Sequence, residues 1–244
     1  MRRDTTSWIS HNLGMDMPLV AYGHAGYPLL MFPTAAADYL EYERFLLVDA
    51  IKPFIESGQI RAYSINSVNR HSLLNDKASP NWKAELLSRY DRYITEEVMP
   101  LIRDECRQDA RPLTTGASLG AFLAANTYFR HPDQFRGTIA MSGSYDIRSY
   151  LKNYYDNHVY FNNPIQYVAN MDDNHFLPTL QKADSIVLVT GQGAFEAPER
   201  TKDFSRVLHS KGIPHLCELW GHDVNHDWDW WRKMLPHYLG RFFG

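Results

Sequence analysis

Three segments of the chain carry residue types that together suit nucleophilic chemistry. The first is Gly116-Ala117-Ser118-Leu119-Gly120, a G-x-S-x-G pentapeptide. It follows an extended run from Pro112 to Thr115 and precedes a helical pattern through Phe122, Ala124, Ala125, Tyr128 and Phe129. A serine between such elements tops a strained strand-to-helix turn, where side chains two residues before and after it collide unless they are absent. Gly116 and Gly120 remove those collisions, and the helix aims its free N–H groups at Ser118. The pentapeptide alone also fits a tight turn with a capping serine, so its neighbours must decide. A serine hydroxyl is a poor nucleophile at neutral pH and needs an imidazole to take its proton and a carboxylate to orient that imidazole. Glu196, in Gly191-Gln192-Gly193-Ala194-Phe195-Glu196, offers the carboxylate, and His222 and His226, in Gly221-His222-Asp223-Val224-Asn225-His226-Asp227-Trp228, offer the imidazoles.

These segments meet only if the elements between them form one sheet. Pro28 to Phe32 is a continuous apolar run bounded by turn signals, as expected of a strand buried on both faces, and Ser185 to Thr190 is another. Further strands are read at Ile60 to Val68, Pro112 to Thr115, Gly137 to Ser142 and His215 to Trp220, with two early ones between Ser7 and Tyr22 that include Trp8 and Ile9. Helical patterns alternate with them: Phe45 to Ile55, a long one from Ser79-Pro80 that Pro100 should kink or end, one ending at Gly212, and a terminal one with Trp231 and Leu235. Strand-helix alternation means an α/β protein with a mostly parallel sheet and helices on both faces. Glu196 and both histidines then lie on loops at the carboxyl ends of strands, the edge where sites in such sheets gather. Pro33-Thr34-Ala35-Ala36-Ala37 also leaves a strand at that edge, and its small side chains let backbone approach a ligand.

From about 145 to 184 the regularity drops and Tyr and Asn dominate, including Tyr145, Tyr150, Tyr154, Tyr155, Asn162, Asn163 and Tyr167. This reads as an excursion above the sheet that can wall a pocket, although most of its rings are expected simply to pack it down. Ser142-Gly143-Ser144 reads as helix capping toward Asp146. The 244 residues fit a single domain, 1–244, and a net charge of −3 with interspersed signs gives neither a basic stripe for nucleic acid nor a polybasic segment for a membrane. No apolar run has the length of a span or signal peptide, which favours a cytoplasmic location. Cys106 and Cys217 lack redox or zinc spacing, and oligomeric state is not readable.

The Gly-Ala-Ser-Leu-Gly-Ala run, Asp223-Val224-Asn225-His226-Asp227-Trp228 with Trp231 beyond it, and the Phe32-Pro33-Thr34 loop with Glu41-Tyr42-Glu43 resemble the Putative esterase family of α/β-hydrolases. That family includes esterase D-like S-formylglutathione hydrolases and mycolyltransferases. The resemblance runs over nearly the whole chain and implies an α/β-hydrolase fold. It also implies Ser118 as nucleophile, His226 as general base, Leu119 N–H as one oxyanion donor and the Pro33 to Ala37 loop, Ala35 first, as the second. His226 holds the histidine position of the His-Asp-Trp signature; the chemistry alone does not separate it from His222. Glu196 is the expected acid, since Ala194 stands where family members often carry an aspartate, with Glu199 and Asp203 as fallbacks. His222 and Tyr145 are candidates for substrate contact.

The expected reaction is hydrolysis of a small-molecule carboxylic ester or thioester through a Ser118 acyl-enzyme, without cofactor, with acyl transfer to an alcohol as the variant. Two other classes compete. His222 and His226 stand four apart, as in a zinc-binding H-E-x-x-H helix, but Gly221 and Asn225 suggest a loop and no third ligand is evident. A non-catalytic binding module on the same scaffold is the other, since fold does not guarantee chemistry.

Overall fold

The computed structural model describes residues 1–106, 109–172 and 175–243. Its strands are β1 (Arg3–Thr6), β2 (Leu19–Tyr22), β3 (Tyr27–Phe32), β4 (Ile60–Ile65), β5 (Leu113–Ala117), β6 (Gly137–Met141), β7 (Ile186–Thr190) and β8 (Leu216–Leu219). They form one sheet in the order β1-β2-β4-β3-β5-β6-β7-β8. β1, β2 and β4 pair antiparallel, and from β4 to β8 every pairing is parallel. The helices are α1 (Glu41–Arg44), α2 (Leu47–Ala50), α3 (Lys52–Glu56), α4 (Pro80–Tyr93), α5 (Met99–Glu105), α6 (Leu119–Arg130), α7 (Asn157–Phe161), α8 (Pro164–Tyr167), α9 (Phe176–Leu180), α10 (Pro198–Ser210) and α11 (Trp228–Phe243).

Helices cover both faces because the central strands are apolar on both. Along β3, Leu30 and Phe32 pack with Phe122 and Phe129 of α6, while Leu29 and Met31 pack with Trp231, Met234 and Leu235 of α11. Successive strand residues point to opposite faces, so each face receives alternate side chains and needs its own helical cover. β5, β6 and β7 are buried along their whole lengths, which fixes their carboxyl ends along one edge.

Several boundaries differ from the sequence reading. The first strand is Arg3–Thr6, ahead of Trp8 and Ile9; the Trp8 indole donates to Glu97 at 2.6 Å, and Ile9 makes only an isolated bridge to Asp16. The helix read over Phe45 to Ile55 is broken into short turns, because Leu46 sits at φ 60° and Pro53 has no N–H to donate. Pro100 does not end its helix. A wider π-helical turn, Ile94–Val98, absorbs the missing donor, and the chain continues helical to Glu105. Among its described residues, the stretch at 145–184 holds only short helices. Cys106 and Cys217 are free thiols.

Candidate active site

Between β5 and α6 the chain turns at Ser118, whose φ of 55° and ψ of −121° lie outside the ordinary wells of a residue with a Cβ. Its N–H is held by the Met141 carbonyl at 2.9 Å. The two flanking glycines are steric requirements: a Cβ on Gly116 would lie 2.2 Å from the Gly120 carbonyl oxygen, and one on Gly120 would lie 2.2 Å from that of Phe32. The second contact seats the helix start against the end of β3, beside the Pro33 to Ala37 loop.

That loop is held from beneath. The buried Glu41 carboxylate accepts from the Thr34 N–H at 2.7 Å and its hydroxyl at 2.6 Å. The Tyr42 hydroxyl donates to the Phe32 carbonyl at 2.5 Å and accepts the Ala117 N–H at 3.3 Å, bridging the loop to the elbow. Burial pushes the Glu41 carboxyl upward, against the pull of its bonds from Thr34. Leu119 borders the cavity beside Ser118, and its N–H has no acceptor among the described residues. The Ala35 N–H is likewise unpaired; Ala35 is exposed and does not border the cavity.

The carboxylate and the imidazole arrive on two loops joined by hydrogen bonds. Gly193 N–H donates to the Val224 carbonyl at 2.8 Å, Ala194 N–H to the Asn225 amide oxygen at 2.8 Å, and His226 N–H to the Ala194 carbonyl at 3.0 Å. The approach leaves no room for a side chain at Gly193, where a Cβ would fall 2.4 Å from that amide oxygen. His226 Nδ1 consequently lies 3.4 Å from Glu196 Oε2. The Glu196 side chain is 1% exposed and that of His226 is 24% exposed, so the acid is sealed below while the ring reaches the cavity.

Three donors converge on the Glu196 carboxylate. Besides His226, the Ser142 hydroxyl donates to Oε1 at 2.6 Å and the Thr190 hydroxyl to Oε2 at 2.8 Å. Burial alone would raise this acid, but the bonds from His226, Ser142 and Thr190 outweigh it and hold the carboxyl below its usual 4.5. Ser142 is itself oriented by the Trp231 indole N–H at 3.0 Å, and the Trp231 ring meets His226 edge-on at 5.0 Å.

Ser118 and His226 border one cavity of about 180 Å³. No hydrogen bond joins them in this structure. Leu119, Phe122, Ile147 and Tyr150 supply its apolar wall, while Ser142, Ser144 and Arg200 bring polar groups. Phe195, left-handed at φ 63° and 92% exposed, stands at its mouth.

Three sequence-based expectations are corrected. Tyr145 is only 1% exposed and stacks on Phe204 with ring centroids 4.5 Å apart, so it packs the core and borders only the adjoining groove; Ile147 and Tyr150 are the residues of that stretch that reach the Ser118 cavity. His222 is exposed on its loop and does not border the cavity. Ser142 does not cap a helix; it sits at φ 54° and binds Glu196. Its place directly after β6, next to the strand that carries Ser118, was the signal for a site role. Glu199 and Asp203 lie on α10, paired with Lys202 and Arg206. Among the described residues no three His, Cys, Asp or Glu side chains gather so as to hold a metal ion, and no helix is long and apolar enough to cross a membrane.

A family model described as "Putative esterase" matches residues 75–242. The chain belongs to the Putative esterase family. Solved structures share the α/β-hydrolase fold of this family member over its whole length. A ferulic acid esterase superposes with a TM-score of 0.74 at 21% identity, covering 100% of this chain and 98% of its own. An S-formylglutathione hydrolase from Agrobacterium tumefaciens gives 0.71 at 14% identity, covering 99% and 95%. The fluorophosphonate-binding serine hydrolase FphF from Staphylococcus aureus gives 0.63 at 15%, covering 100% and 98%. No curated protein matches this esterase-family chain by sequence.

Proposed function

We propose that this member of the esterase family hydrolyses carboxylic esters or thioesters of small molecules through an acyl-enzyme on Ser118. The observation that carries this reading is the buried Glu196 carboxylate bound to His226, whose ring borders the same cavity as Ser118 on its strained turn. In the proposed reaction the Ser118 oxygen attacks the substrate carbonyl while His226 takes its proton, and Glu196 holds the ring with Nδ1 protonated so that Nε2 is the free base. The carbonyl oxygen becomes an oxyanion beside the unpaired Leu119 N–H, with the Ala35 N–H as the proposed second donor. Collapse expels the alcohol or thiol with the proton from His226. Water then attacks the acyl-enzyme by the same route in reverse.

The Ser118–His226 hydrogen bond forms in this reading when substrate fills the cavity, since such bonds commonly tighten only in the substrate complex. A space of about 180 Å³ suits a short acyl group better than a drug-sized ligand, which takes at least about 300 Å³. The test combines labelling with turnover. A fluorophosphonate probe should add once to the protein, at Ser118, and Ser118→Ala should lose both the label and hydrolysis of p-nitrophenyl butyrate while keeping its circular dichroism spectrum. Turnover retained by folded Ser118→Ala refutes the proposal.

A further inference from the structure

Arg200 borders the Ser118 cavity on one side and an adjoining groove of about 240 Å³ on the other. Its guanidinium makes no salt bridge or side-chain hydrogen bond with any described residue. Carboxylates are close by: Asp146 and Asp203 border the same groove. Each is engaged elsewhere, Asp146 by Arg148 at 2.5 Å and Asp203 by Arg206, while Glu199, next to Arg200 in sequence, holds Lys202 at 2.6 Å. Local acids are thus matched one to one with other bases, and Arg200 is the cation left over where the cavity opens into the groove. Helix stability does not account for it, because the first turn of α10 is where a positive charge is least favoured. Ser144 borders both the cavity and the groove, a second polar residue along the same path.

We infer that Arg200 selects substrates bearing an anionic group, a carboxylate or similar planar oxyanion, next to the scissile ester. This deepens the proposed function and rests on it. A guanidinium presents a fork that pairs bidentately with carboxylate, and at a cavity mouth it attracts the anion before the ester reaches Ser118. The anion can ride on the acyl part or on the leaving group; the chemistry of recognition is the same.

Two matched pairs separate these sources: p-nitrophenyl butyrate against mono-p-nitrophenyl glutarate, and phenyl butyrate against 4-carboxyphenyl butyrate. The readout is the ratio of kcat/KM for the anionic ester to that for its neutral partner. Arg200→Gln should lower this ratio about tenfold in one pair, chiefly through KM, and Arg200→Lys should keep most of it because the charge survives. The effect should shrink as salt is raised, as an exposed ion pair must. As a measurement independent of turnover, glutarate should slow fluorophosphonate labelling of the wild-type protein more than uncharged glutaramide does, and Arg200→Gln should abolish the difference. A ratio unmoved by Arg200→Gln in both pairs, or equal slowing by glutarate and glutaramide, overturns the assignment. If the probe labels Ser118 and the ratio stays fixed, only the role of Arg200 falls. If Ser118 takes no probe, the esterase mechanism falls and this inference falls with it.

Discussion

Replacing Ser118 by alanine and by glycine should reverse the usual order of stability of those two residues. At an ordinary position glycine is less stable than alanine by about 0.5–1 kcal/mol, because the more flexible unfolded chain loses more freedom on folding. Ser118 is not ordinary: φ is 55° and ψ is −121°, a combination outside even the small left-handed well open to residues with a Cβ. Holding such a residue there costs about 1–3 kcal/mol. Its hydroxyl has no hydrogen-bond partner among the described residues, so removing it takes away no bond. Ser118→Ala keeps the Cβ and the strain and should lie within about 0.5 kcal/mol of wild type. Ser118→Gly releases the strain and keeps the entropy loss, leaving it more stable than Ser118→Ala by up to about 2.5 kcal/mol. At this chain length that is a rise of up to about 10 °C in Tm, since each kcal/mol moves Tm by roughly 2–4 °C. Urea unfolding followed by tryptophan fluorescence, with thermal unfolding as a cross-check, measures it. A glycine variant less stable than the alanine variant by the ordinary margin would show that the turn stores no strain.

Two other substitutions test the groups behind the elbow. Glu196→Gln should leave the loop pairing intact but reduce kcat by about 10³–10⁴, because an amide cannot stabilise the imidazolium or fix its tautomer as a carboxylate does; a loss under about tenfold would argue that another acid serves His226. Ser142→Ala removes a donor to a buried carboxylate and should cost about 1.5–3 kcal/mol at pH 7. Glu196 is held below its usual 4.5 in the folded state, so the stabilisation from this bond is fully present above that pH and fades as pH falls through the lower folded value. The stability gap between wild type and Ser142→Ala should therefore be largest near neutrality and narrow below pH 4.5; an equal gap at pH 7 and pH 3.5 would mean the serine acts by packing alone.

The parts of the fold that local rules govern were legible in the chain. Continuous apolar runs marked β3 and β7, and the glycines around Ser118 foretold the turn, because two atoms cannot share the space those Cβ positions need. What local rules do not reach depends on long-range partners. Nothing near Trp8 announces that its indole reaches Glu97, and the first strand lies ahead of it at Arg3–Thr6. Tyr145 and Tyr150 look alike in sequence, yet Phe204 claims the first for the core and leaves the second at the cavity. Ser142 looks like a local cap in sequence because its partners, Glu196 and Trp231, lie 54 and 89 residues away. Strand ends and chain order point to Ser118, to Glu196 and to the loop of His222 and His226; only the family resemblance prefers His226 of the two, and the structure brings its ring to Glu196. The hydroxyls that tune the acid, and the unpaired guanidinium at the mouth, needed coordinates.

The backbone stitching between the loops of Glu196 and His226 has a consequence for redesign. Because Gly193, Ala194 and His226 lock those two connections in register, lengthening either alone pulls the Glu196 carboxylate and the His226 ring apart. Room for a bulkier substrate has to come from the stretch 145–184, which touches the cavity through Ile147 and Tyr150 and supplies no member of the proposed proton path. A library that randomises this wall while freezing the stitched pair should change which esters are accepted far more often than it destroys turnover, and the reverse library should do the opposite.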